Sequence, residues 1–172
     1  MKKRTYQNIF EELKRNRKIF KVLLNNIHKE EYLWRQAPDK WCLLEIVCHL
    51  HDEEIEDFRT RVKYVLEDPA KELPPINPTV WVSERKYTDQ NFDLKFKAFI
   101  KERKESIGWL KSLDDPQWEN YYNHPKLGPM SAKLFLSNWL AHDLLHIRQI
   151  LKLRFEYLKY ISSEDLSYAG NW

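Results

Sequence analysis

Glycine is scarce in this chain, three among 172 residues, and cysteine is scarcer, with two. So little glycine argues against a β-sandwich or barrel, whose many tight turns call for residues that tolerate positive φ. Cys42 and Cys48 stand six positions apart. On a helix turning about 100° per residue they point about 120° away from each other, so they neither converge as ligands nor close a strain-free disulfide. There is no apolar run of the kind that opens a signal peptide, and none long enough to span a bilayer, so the expectation is a cytoplasmic protein without a membrane partner. Charge of one sign is also missing. Lysine and arginine number 29 against 26 acids, a net of +3. The basic runs "KKR" and "KRNRK" are interleaved with the acids of "EELK" and "HKEE". That mixture marks a solvated helix face rather than a phosphate-binding stripe, and no nucleic-acid signature appears.

What is present is ordinary globular material: 42% hydrophobic and 32% charged, with seven tryptophans and nine tyrosines for a core of large aromatic plates. The length suits a single domain over residues 1–172. Apolar residues recur at three- and four-residue steps over about 6–27, 43–66, 91–113 and 132–154. The fold expected is therefore all-α, a four-helix bundle. Between the second and third helices, "EDPAKELPPINPTVWVSERKYT" carries four prolines. It reads as too proline-rich for a helix and as a long crossover across the bundle. "NHPKLGPMS" reads as a turn, with Ser131 placed to cap the fourth helix.

The fourth helix contains "HDLLHIRQI", with His142 and His146 one turn apart on one face. Both rings can converge on one ion, or each can hydrogen-bond an ordinary neighbour. The helix is apolar nearly all round, with Leu136, Leu140, Leu144, Ile147 and Leu151 opposite the histidines. Buried imidazoles are therefore expected, and they need partners. No glutamate follows His142, which excludes the H-E-x-x-H protease signature. A third ligand can come from "WCLLEIVCHLHDEE" in the second helix. Burial favours His51 and a carboxylate-lined cleft favours His49; the helical wheel leaves the choice open. Asp143 projects about 90° from the ligand line, as a bridge to another helix would. Glu45, Asn138 and Gln149 are candidates to hold imidazole N–H groups, and Trp41 and Trp139 to wall the cleft or pack the core.

"KWCLLEIVCHLHDEE", "HPKLGPMS" and "HDLLHIRQI", in that order, resemble the three sequence blocks of the DinB-like superfamily, which includes the bacillithiol transferases. The likeness covers about residues 8–155. It implies a four-helix bundle, commonly a homodimer, with His49, His142 and His146 binding a divalent metal; imidazole-only ligation suits zinc, nickel, iron or copper without choosing among them. It leaves His51 as an outlying hydrogen-bonding residue and His28 and His124 as surface or turn residues. Cys42 stands where the family often has a capping serine; its thiol is either a half-buried small group or, at a helix N-terminus, a reactive thiolate. Three imidazoles leave an ion open positions, so the expected function is metal-dependent transfer of a low-molecular-weight thiol to an electrophile, or metal-dependent hydrolysis of a small-molecule substrate. The alternative is a non-catalytic, stress-associated metal-binding bundle.

Overall fold

The computed structural model of the chain describes residues 2–170 and 172. Helix α1 runs Lys2–Leu24 and short α2 Lys29–Leu33. A long helical run follows in three parts: α3 Leu43–Glu53, a π-helical turn Glu54–Arg59, and α4 Thr60–Glu67. Within the crossover, α5 spans Pro78–Glu84 and a 3₁₀ turn Tyr87–Asp89. Then come α6 Phe92–Ser112, the strands β1 Tyr121–His124 and β2 Gly128–Ser131, and α7 Ala132–Ser162. The four long members form an all-α four-helix bundle: α1 packs on α6 and α7, α3 on α6, and α4 on α7.

Local chemistry explains the ends. The carboxylate of Glu45 accepts from the Cys42 backbone N–H at 2.9 Å, which holds the start of α3. Asn91 accepts from Leu94 N–H at 2.9 Å and Ser131 from Leu134 N–H at 3.1 Å, capping α6 and α7 as their residue types favour. The Thr60 hydroxyl donates to the Ile55 carbonyl at 2.6 Å, one of the bonds around the widened π turn.

Three expectations are corrected. The crossover does contain a helix, because Pro78 sits in its first turn, where no intrahelical N–H is needed. "NHPKLGPMS" belongs to a two-stranded antiparallel hairpin rather than a bare turn, pairing Tyr121 with Ser131 and His124 with Gly128, whose φ of +74° suits glycine. And α7 continues eight residues past Arg154, ending at Ser162.

The interior has two apolar clusters. One gathers Phe20, Leu24, Trp81, Phe92, Phe99 and Ile150 with the first turns of α3. The other gathers Phe10, Phe58, Val62, Trp118, Phe135 and Trp139. Between them lies a buried charged layer. Arg103 of α6 donates from Nε to both oxygens of Glu54 at 2.9 Å, and from its two terminal nitrogens to Asp143 at 2.5 and 2.7 Å. Asn16 and Trp139 complete it, donating to Asp143 at 3.2 Å and to Glu54 at 2.9 Å. Asp143 thus bridges α7 to two other helices, as its angle suggested. The layer fixes the rotation of α7 and with it the line on which His142 and His146 project.

Candidate metal centre

His49 on α3 and His142 and His146 on α7 come together from stretches 93 residues apart. The Nε2 atom of His142 lies 3.1 Å from Nε2 of His49 and 3.0 Å from Nε2 of His146. Ligand-capable atoms of all three lie within 4.8 Å of one another. His49 and His146 are buried and His142 half-buried. The ring of Trp41 stands 4.9 Å from that of His49, and Phe58 4.9 Å from that of His142, so aromatic faces wall two sides.

The wheel left His49 and His51 open because α3 is buried on nearly every face from Leu43 to Leu50. His51 instead bonds its neighbour Asp52 at 2.8 Å. Asp52 also accepts from Tyr87 at 2.8 Å and Arg85 at 2.7 Å, tying the crossover to α3. Although burial raises it, these three hydrogen bonds hold Asp52 down at about 2. His28 is exposed before α2, and His124 accepts from the Lys126 and Leu127 N–H groups in the hairpin loop.

Burial drives all three clustered rings toward the neutral state. It pushes His49 down to about 3 and His142 to about 2, each helped by neighbouring histidines, and His146 to about 4. The Gln149 amide opposes the shift at His146 without closing a hydrogen bond on Nδ1. Among the described residues, the buried Nδ1 atoms of His49 and His146 find no hydrogen-bond partner. Neutral nitrogens converging at hydrogen-bond distance cannot all be satisfied by sharing protons among themselves. The set therefore fits a divalent cation, which would take the Nε2 lone pairs.

Other expected helpers are engaged elsewhere. Glu45 pairs with Arg35 at 2.5 Å, and Asn138 donates to its own helix at Leu134 O, 2.9 Å away. Trp139 is a core residue stacked 6.0 Å from Phe58. Cys42 and Cys48 are free, and burial pushes Cys42 up and Cys48 to about 12, which removes the reactive-thiolate reading of Cys42. Two features escaped the sequence. Arg103 occupies an apolar-stripe position between Phe99 and Ile107, a signal that was there to read. Glu53, one turn beyond His49, is buried, and its Oε1 finds no hydrogen-bond partner among the described residues. Burial, and after it the neighbouring Asp57 carboxylate, push Glu53 up to about 8.

Three imidazoles converging between the helices of a bundle are the kind of site at which such folds can hold a metal ion. The chain belongs to the DinB superfamily, whose family model matches residues 12–150. Its fold is similar to that of YfiT from Bacillus subtilis, described as a probable metal-dependent hydrolase with an unusual four-helix bundle topology. The TM-score is 0.78 at 16% identity, over 89% of this chain and 87% of that one. Comparison with curated proteins finds no match. Among the described residues, no helix is long and apolar enough to cross a membrane.

Proposed function

We propose that this chain is a divalent-metal-dependent enzyme whose ion is held by His49, His142 and His146, and that it transfers a small thiol to an electrophile. The observation that carries this reading is the convergence of three Nε2 atoms on rings that burial keeps uncharged. When bound, a divalent ion supplies Lewis acidity, drawing a bound water to a pKa near ~7 and deprotonating a coordinating thiol. The chain's own part is to hold the rings neutral and exclude bulk water with Trp41 and Phe58. Because both cysteines are buried, with their thiols pushed up, the thiol must come from a substrate. Imidazole donors suit zinc, nickel, iron or copper alike.

Hydrolysis is the second reading, favoured by the description of YfiT as a probable metal-dependent hydrolase. Assaying zinc-loaded protein with a model thiol plus chlorodinitrobenzene, and separately with an activated ester, separates the two. Turnover in the first assay, abolished by chelation and restored by metal, supports transfer; turnover in the second alone supports hydrolysis. Metal binding with neither activity supports the non-catalytic bundle. We also propose a homodimer joined through the outer face of α7. Supporting it, Leu144, Leu151 and Leu158 recur every seven residues at 56%, 40% and 49% exposure. Light scattering that returns a monomeric mass at micromolar concentration overturns that assembly.

A further inference from the structure

At about 100° per residue, His142 and His146 sit on one edge of the arc that α7 buries. Going round the helix away from the core, the next side chains are Gln149, Leu145, Lys152 and Arg148. They do not lie on a featureless flank. Leu145, His146, Arg148, Gln149, Lys152 and Trp172 line a recess of about 490 Å³. Trp172 is held at its rim by stacking on Phe155, ring centres 5.5 Å apart.

The lining side chains carry two cations and no carboxylate. Every other arginine with a described side chain holds a carboxylate or a carbonyl: Arg15, Arg17, Arg35, Arg59, Arg61, Arg85, Arg103 and Arg154. Arg148 and Lys152, one turn apart, make no hydrogen bond or ion pair with any described residue. Two unpaired cations beside apolar Leu145 and Trp172, in a recess that shares His146 with the centre, suit a ligand with an apolar stem and an anionic end.

Resting on the three-histidine reading above, we propose that this recess is the substrate's second anchor: Arg148 and Lys152 grip a carboxylate whose reactive end lies at the histidine centre. The substrate class is then a small, flexible carboxylic acid. Arginine's planar fork sets direction and Lys152 adds charge without geometry.

Four ligands separate this idea from the thiol reading: 6-mercaptohexanoate, 6-mercaptohexanol, hexanoate and hexanol, titrated calorimetrically into zinc-loaded protein. The carboxylates are expected to bind about fivefold tighter than the matching alcohols at low ionic strength. That preference should fall below twofold in 0.5 M salt and in the Arg148→Gln/Lys152→Gln double variant. Both substitutions are on exposed positions, and unchanged zinc content in the variant shows that the centre is intact. Equal affinity for acids and alcohols overturns the anchor while leaving the thiol reading in place. Thiols that bind no tighter than their thiol-free counterparts overturn the thiol reading, with the acid–alcohol comparison still standing. No binding by any of the four overturns both.

Discussion

An imidazole ligates through a neutral ring, and here neutrality is built in before any ion arrives. His49, His142 and His146 each have a folded-state pKa below the ordinary 6.5. The unfolded chain therefore takes up protons that the folded chain refuses, and stability is lost as pH falls below 6.5 toward about 4. In protein stripped of metal, each ring should contribute a slope of about 1.4 kcal/mol per pH unit in that window. Urea titrations at stepped pH should show a shallower slope for His49→Gln than for the parent; identical slopes would mean the rings are not held neutral. Glu53 works in the opposite sense. Its folded pKa is raised from 4.5 to about 8, so its contribution is complete below pH 4.5 and is lost as pH rises through 8. Glu53→Gln should leave stability at pH 5 nearly unchanged and raise it at pH 9, by at most about 1.4 kcal/mol for each pH unit that separates the folded and unfolded pKa. A variant no more stable than the parent at pH 9 contradicts that.

The long helices were legible because their apolar steps repeat over several turns: Phe10, Leu13, Phe20 and Leu24 in α1, and Phe96, Phe99, Ile100, Ile107 and Leu110 in α6, are all buried. The hairpin was not. Strands of four residues carry too few alternations to compete with the turn chemistry of His124, Pro125 and Gly128. The π turn at Glu54–Arg59 leaves no periodic mark, since Phe58 and Val62 still read as one helical stripe. In α7 the apolar surround was read as burial, yet Leu144, Leu145 and Leu151 face outward. Periodicity shows which residues are apolar and cannot say what covers them. The spacing of His142 and His146 put both rings on one face but left open what they hold, and the ligand reading, like the choice of His49, needed the family's pattern. At this scale the charged layer carries the sharpest expectation. Arg103→Met removes the one cation that faces Glu54 and Asp143 among the described residues, and should lower unfolding free energy by about 3–5 kcal/mol. A loss under 1 kcal/mol in chemical denaturation would mean the layer is not what registers α7 against α6.

Across the whole molecule, the two apolar clusters supply the bulk of the burial, and the charged layer between them sets orientation. The three rings sit where α3 and α7 meet, so an ion bound there would link chain segments nearly a hundred residues apart and couple binding to folding. An ion present at a hundredfold its dissociation constant would stabilise the fold by about 2.7 kcal/mol, and chelation should lower the melting temperature accordingly. The three-histidine centre is most directly tested by elemental analysis of protein purified without an affinity tag, alongside a His146→Ala variant prepared identically. The expected result is close to one divalent ion per chain in the parent and at least a tenfold loss in the variant, with helical content unchanged. Equal metal in the two preparations would contradict it.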